Sequence, residues 1–283
     1  MANLLVLGDI HGALAALRAI CDLVASLDSM LRPDAILATG DFVSVFHLPV
    51  SHANTAARQL MTEIERELSG LGCEVLCVAG NHDRPDLWGV NGCLRSVDAY
   101  AGATECSVHG FRVIGLGGSW QLGMFPYEWE DGAVLTERVR QLIPQCDVVP
   151  EVFLTHAPPA GAGVGSLHSG GEVGSQTIQE LIVERQPVLS VCGHVHEAAG
   201  WGLLGKTWVL NAGVICGMTR LADPTPGNRG PSNLVNSQAN FYLIQLVSPG
   251  DSFLALEGHL LKGRWLLRWL RAEAGHINVT NHP

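Results

Sequence analysis

A layered α/β fold, with a largely parallel sheet buried on both faces, is what this sequence predicts. Three observations carry that reading. Hydrophobic residues fill 47% of the 283 positions and charged residues only 16%, a balance that suits a sheet covered on both sides. The opening alternates apolar β-type runs with helical spacings. Thirty-three glycines supply tight loops and close backbone approaches. The length allows a full core, and we read one domain over 1–283, with a core of about 1–215 that residues 238–275 complete.

The elements follow in order. Residues 4–7 form a buried apolar run, and 13–27 place Leu14, Leu17, Cys21, Val24 and Leu27 on one helical face. A second strand over 35–38, a second helix over 54–68 and a third strand over 74–79 complete a βαβαβ opening. Such an opening implies parallel strands and right-handed crossovers. Residues 107–116 read as a hairpin turning at His109-Gly110. A helix over 136–142, a strand over 152–154, a helix over 175–184 and a strand over 188–192 come next. A second hairpin spans 203–210, and strands lie over 241–247 and 253–256. The run 265–272 reads as a short basic amphipathic helix. Residues 158–174 and 223–237 are loops, and there is no internal repeat.

Charge and targeting narrow the function. The net charge of −10 disfavours stable nucleic-acid binding, which needs cationic surface. The N-terminal apolar run lacks a basic flank and stops at Gly8, so neither a signal peptide nor a membrane span is expected. The eight cysteines form no Cys-x-x-Cys pair, which fits reduced thiols in a cytoplasmic protein. The Asn278-Val279-Thr280 sequon is then incidental.

Five short blocks carry the chemistry: Asp9-Ile10-His11, Gly40-Asp41, Gly80-Asn81-His82-Asp83, Thr155-His156 and Gly193-His194-Val195-His196. Four of them follow directly on an apolar β-type run, where ligands of open α/β sheets collect. Together they hold three carboxylates, one amide and five imidazoles. Hard oxygens mixed with imidazole nitrogens suit divalent Mn, Fe, Co, Ni or Zn. There are more donors than one ion uses, so two ions are expected. A pair about 3.5–4 Å apart favours in-line displacement at phosphorus by a bridging hydroxide.

At these blocks the chain resembles a calcineurin-like metallophosphoesterase. Asp-x-His, Gly-Asp, Gly-Asn-His-Asp, a single His and Gly-His-x-His all occur in order over residues 9–196. The stretch Thr155-His156-Ala157-Pro158-Pro159, with Cys192-Gly193-His194-Val195-His196-Glu197, is similar to small phosphodiesterase-like members. The resemblance implies a four-layer α/β/β/α sandwich of two mixed sheets. It implies Asp9, His11 and His196 on one metal, Asn81, His156 and His194 on a second, and Asp41 bridging them. His82 would face the substrate and assist the leaving group, with Asp83 orienting its ring. Mn or Fe leads the metals, ahead of Zn, Co and Ni.

The implied activity is hydrolysis of small phosphate esters, with phosphodiesters such as cyclic nucleotides first and phosphomonoesters as the alternative. Protein phosphatases of the family carry Asp-Arg-Gly after the second Gly-Asp. Here Asp41 is followed by Phe42-Val43-Ser44, which argues against that activity and, with the charge, against a nuclease. A non-enzymatic scaffold on the same fold would be expected to lose His82 or a ligand, and none is missing. Arg84 is a candidate phosphate contact beside Asn81, against an ordinary ion pair. His47, His52, His109, His168, His259, His276 and His282 read as exposed or structural, and Glu197 as a supporting or solvated group. The glycine-rich 161–174 stretch reads as a mobile rim loop, since it lacks a lysine and phosphate-loop spacing. Trp265, Leu266 and Trp269 read as packing on the domain. The oligomeric state is not encoded in any of these features.

Overall fold

The computed structural model describes residues 1–44, 50–84, 93–99, 102, 105–120, 125, 127–143, 151–215, 239–246, 253–261, 264–273 and 276–281. The opening follows the expected alternation: β1 (Ala2–Leu7), α1 (Leu14–Ser26), β2 (Ala35–Ala38), α2 (Val50–Ser69) and β3 (Glu74–Cys77). Then come β4 (Leu94–Ser96), the hairpin β5 (Cys106–Val108) and β6 (Phe111–Leu116), and the short strands β7 (Ser119–Trp120) and β8 (Glu128–Trp129). After α3 (Ala133–Leu142) lie β9 (Glu151–Thr155), α4 (Gln176–Arg185), β10 (Leu189–Cys192) and the hairpin β11 (Gly200–Leu204) and β12 (Thr207–Asn211). Four strands close the chain: β13 (Ala239–Leu246), β14 (Phe253–Leu261), β15 (Arg264–Glu273) and β16 (His276–Asn281).

Fourteen of these strands form two mixed sheets, and β7 and β8 pair with each other alone. One has eight strands in the order β16-β15-β14-β13-β1-β2-β3-β4, the other six in the order β11-β12-β10-β9-β6-β5. In the first, β1 to β4 run parallel and β13 to β16 antiparallel. In the second, the parallel strands β12, β10, β9 and β6 are flanked by the antiparallel edges β11 and β5.

Side-chain alternation along each strand stacks the layers. Leu4, Val6, Leu37, Leu76 and Val78 meet Val113, Val152, Leu154, Val191 and Leu210 of the second sheet. The intervening residues Leu5, Leu7, Ile36, Val75 and Cys77 face Leu17, Ile20 and Val24 of α1 and Met61, Ile64 and Leu68 of α2. On the far side, Ile114, Leu116 and Phe153 face Leu135 and Val139 of α3 and Ile178, Leu181 and Ile182 of α4. The order is therefore α/β/β/α. Each central strand is buried on both faces, which is why it reads as a continuous apolar run.

The C-terminal region corrects one expectation. Residues 265–272 are not helical but lie within β15, paired to β14 from Arg264↔Leu261 to Ala272↔Phe253. Trp265, Leu267 and Trp269 face the α1/α2 core, while Leu270 and Ala272 face the inter-sheet core and Leu266 is exposed. The period is two, not 3.6, and β15 in turn pairs with β16. The loop at 223–237 lies outside the described residues, as do His47, His282 and the side chains of His52 and His276. At 158–174 the loop is tied down: Glu172 accepts from the N–H of Gly161 (2.9 Å) and Gly163 (3.3 Å), and Glu197 accepts from the N–H of His168 (2.5 Å). All six described cysteines are free thiols.

Candidate metal centre

Five strands of the two sheets end at one place. Asp9 follows β1, Asp41 follows β2, Asn81, His82 and Asp83 follow β3, His156 follows β9, and His194 and His196 follow β10. Backbone hydrogen bonds lace these ends together. Ile10 and His11 donate to the Asp41 carbonyl at 3.1 and 2.7 Å, and Asp9 donates to that of Gly213 at 3.0 Å. The His156 carbonyl accepts from the N–H of Gly193 at 2.9 Å. Among the described non-glycine residues five have positive φ, and three are His11 (46°), Asp41 (49°) and His194 (66°). Such strain persists where surroundings enforce it, and it clusters at functional sites. Glycine is required close by: a Cβ on Gly80 would lie 2.0 Å from Asp41 Oδ1, and one on Gly193 would lie 2.3 Å from Asp9 Oδ1.

Six of the seven residues expected to bind metal contact one another through polar atoms. His196 Nε2 is 3.0 Å from Asp9 Oδ2 and 3.2 Å from His11 Nε2. His11 Nε2 is 3.6 Å and His156 Nε2 3.7 Å from Asp41 Oδ2. His156 Nε2 is 2.9 Å from Asn81 Oδ1. His194 packs its ring 4.9 Å from that of His156, and its N–H donates to Asp9 Oδ2 at 2.9 Å. Asp9, Asp41, Asn81 and His156 are all buried.

This donor set fits divalent cations on its own chemistry. The Thr39 carbonyl, which can only accept, is 2.8 Å from His156 Nδ1, so the ring proton is assigned to Nδ1. Nε2 then aims a lone pair at the Asn81 carbonyl oxygen, and two acceptors at that distance call for a cation between them. His11 Nδ1 is buried without a partner. Burial pushes His11 and His194 down to about 3, which leaves them as the neutral imidazoles that metals require. Burial first, then Asp9 and Asp83, pushes Asp41 well above the usual carboxylate range. For Asp9 burial acts upward, but His156, His196 and His11 outweigh it and hold the carboxyl low.

His82 stands beside this cluster, with Nε2 4.0 Å from Asp41 Oδ2. Burial, then His156, lowers it to about 4. Its backbone N–H donates to Asp41 Oδ1 at 2.9 Å. Asp83, expected to orient the His82 ring, engages backbone. Asp83 takes the N–H groups of Phe42 and Gly80, each at 2.9 Å, and so clamps the Asp41 loop to the Gly80 turn. Burial raises Asp83 to about 7 against those hydrogen bonds. The side chain on His82 Nδ1 is Ser44, at 3.1 Å. Arg84 donates to Asn54 Oδ1 of α2 at 3.0 Å.

Sequence reading missed four neighbours. Thr39 donates to Asp9 Oδ1 at 3.1 Å and holds His156 through its carbonyl. Ser44 holds His82. Trp120 meets His194 edge-on at 5.0 Å, and Phe125 lies 4.6 Å from His82 at 31°. Thr39 and Ser44 were findable by adjacency to Gly40-Asp41. Nothing local marked the two aromatics.

Carboxylates, an amide and imidazoles gathered at the strand ends of an α/β/β/α sandwich define a class, the sandwiches with an Asp/His metal site. Within that class the chain belongs to the calcineurin-like phosphoesterase family, whose model matches residues 2–198. It is 30% identical over 169 residues to a protein of Synechococcus sp. named as a probable cyclic nucleotide phosphodiesterase, covering 59% of each chain. It is 28% identical over 143 residues to an uncharacterized protein of Methanocaldococcus jannaschii, covering 49% of this chain and 63% of the other. The matches thus span about three fifths of these relatives' lengths. Among solved structures, TT1561 of Thermus thermophilus shares the fold, with a TM-score of 0.52, 23% identity, and coverage of 75% of this chain and 89% of that one. Among the described residues no helix is long and apolar enough to cross a membrane.

Proposed function

We propose that the chain hydrolyses small phosphodiesters, cyclic nucleotides foremost, at a two-metal site. The observation that carries the reading is the juxtaposition of seven metal-type donors with a further histidine, His82, held by Ser44; the reading keeps it for the substrate, although it lies close enough to His11 and Asp41 to share an ion with them. The reading assigns Asp9, His11 and His196 to one ion, Asn81, His156 and His194 to the other, and Asp41 to both. Divalent ions bound there supply Lewis-acid neutralisation of the ester and acidify water.

The chain's own residues then do the following. Asp41, between His11 and His156, sets the spacing of the two halves. Thr39 and Asp83 keep the carboxylates and the loop bearing Asp41 from moving. His82 is neutral near pH 7, so a Ser44 hydroxyl donating to Nδ1 leaves the ring proton on Nε2, the nitrogen 4.0 Å from Asp41. From there it would hydrogen-bond the oxygen of the leaving group as a neutral donor, with water supplying the proton that the alkoxide finally takes. No arginine follows Asp41, where buried Phe42 and Val43 stand instead. That favours a singly charged diester over a dianionic monoester. The resemblance to the Synechococcus protein supports the same substrate class.

The test compares kcat/KM for bis-nitrophenyl phosphate, nitrophenyl phosphate, 2′,3′- and 3′,5′-cyclic nucleotides and a phosphopeptide at saturating Mn. Diesters should lead and the phosphopeptide should be nearly inert. A clear monoester preference sinks the diesterase reading. No turnover of any ester sinks the enzyme reading.

A further inference from the structure

Two aromatic side chains from one segment stand against the two histidines that mark the open side of the donor cluster. Trp120 meets His194 and Phe125 meets His82. Both rings are partly exposed. The described residues on either side of Phe125, 117–120 and 127–129, are fastened to the turn that carries Asn81 and His82. The Gly118 N–H donates to the Ala79 carbonyl at 2.7 Å, and the Tyr127 N–H to that of Asn81 at 3.4 Å. Trp129 is buried and its indole N–H donates to the Gly117 carbonyl at 2.8 Å. The Tyr127 hydroxyl donates to buried Asp98 at 2.6 Å. β7 and β8 pair Ser119 with Glu128 and Trp120 with Trp129. These ties fix the described residues that precede and follow Phe125 beside the site.

We infer that Trp120 and Phe125 form a platform that stacks the base of a nucleotide substrate while its phosphodiester lies on the donor cluster. The inference rests on the phosphodiesterase reading and names the part of the substrate that gives it selectivity. A flat π-face suits any of the bases, so the platform selects nucleotides as a class and discriminates weakly among bases. It also accounts for recognition by a chain of net charge −10, since stacking asks for no cationic groove.

The experiment uses the full-length protein with Mn and two substrates, a 3′,5′-cyclic nucleotide and the matching 1-O-methyl ribose 3′,5′-cyclic phosphate, which has no base. Trp120→Ala and Phe125→Ala should each raise KM for the nucleotide by roughly 5- to 150-fold, the range of base–aromatic stacking. The base-free diester should lose several-fold less, and Trp120→Phe should recover most of the nucleotide KM. Equal losses on both substrates, or losses confined to kcat, would make the rings mere supports for His194 and His82 and overturn the inference. So would a wild-type protein that cleaves bis-nitrophenyl phosphate but shows no preference for the nucleotide over its base-free analogue. Absence of diester turnover altogether would instead defeat the underlying phosphodiesterase reading. Circular dichroism and metal content of each variant separate misfolding from lost stacking.

Discussion

Among single residues, the proposed activity is tested first at His82. His82→Ala should cut turnover by roughly 100- to 1,000-fold, the usual span for losing one hydrogen-bond donor to developing charge. On the proposed assignment, which gives His82 to the substrate, metal content should be unchanged by elemental analysis even though His82 stands beside His11 and Asp41. The loss should be larger for alkyl leaving groups than for nitrophenolate, which needs little protonation. If metal leaves with the ring, His82 is a ligand and the assignment is wrong. Ser44→Ala should cost about 10-fold, in the manner of partners that orient working imidazoles. Asp83→Asn should instead show as lowered stability, since its carboxylate holds backbone N–H groups of two loops. At this scale the sequence was most legible where chemistry is tied to residue type. Asp, His and Asn at strand ends announce themselves. Thr39, Ser44, Trp120 and Phe125 do not, because their residue types serve packing and capping everywhere, and only the fold brings them to the site. Asp83 was legible as a site residue by its place beside His82, but its hold on the backbone of Phe42 and Gly80 depends on how two loops meet.

Among the elements, α4 makes a pH-dependent prediction. Its N-cap Ser175 donates to Asp131 at 2.9 Å, and Asp131 also accepts the N–H groups of Gln176 (2.8 Å) and Thr177 (3.1 Å). Burial acts to raise the Asp131 carboxyl, but the hydrogen bonds from Thr177, Gln176 and Ser175 prevail and hold it below the usual carboxylate range. A depressed carboxylate stabilises the fold above its unfolded pKa, and that contribution disappears as pH falls through the folded value. Asp131→Asn should therefore destabilise by about 1 kcal/mol at pH 7, with the gap to wild type closing below about pH 4. Denaturant titrations at both pH values decide it. β15 yields a second test. Leu266 and Trp269 would share a face in a helix, whereas in the strand they point apart. Leu266→Ala should stay within about 0.5 kcal/mol of wild type, and Trp269→Ala should cost about 2 kcal/mol or more. Equal effects would restore the helix. The early helices were legible because their apolar stripes are narrow and clean. β15 was not, since Trp-Leu-Leu-Arg-Trp-Leu-Arg satisfies both periods, and its true period is set by β14 and β16 alongside. β4 and β16 were missed because short or polar edge strands carry little apolar signal.

For the molecule as a whole, metal and fold should be coupled. Three buried carboxylates, Asp9, Asp41 and Asp83, crowd one end of the sandwich, and cations binding there stabilise only the folded state. Metal at about 100 times its Kd adds about 2.7 kcal/mol, or about 5 °C in Tm for a chain of this size. Scanning calorimetry with Mn and then with excess chelator should show that rise and its reversal. Asp41→Asn should abolish most of it, and an unchanged shift in that variant would remove Asp41 from the bridge. The α/β class and the order of most elements were legible because parallel strands buried on both faces write long apolar runs. The doubling into two sheets was not written in any local pattern. It came from the resemblance, and physically it depends on which alternate face of each strand finds a partner, a choice made only when the halves meet.

The pairing of β1 with β13 has a consequence in time. Ala2 lies opposite Leu246, so β1 leaves the ribosome well ahead of the strand it pairs with. At about 5–20 residues per second that interval is roughly 10 to 50 s, during which one edge of β1 stays open while β2 closes the other. His196 emerges well before Ala239, so every donor of the cluster is synthesised before that edge is sealed. Ion capture during translation would then draw the two halves together early and shorten the period in which an apolar strand edge is available to other nascent chains.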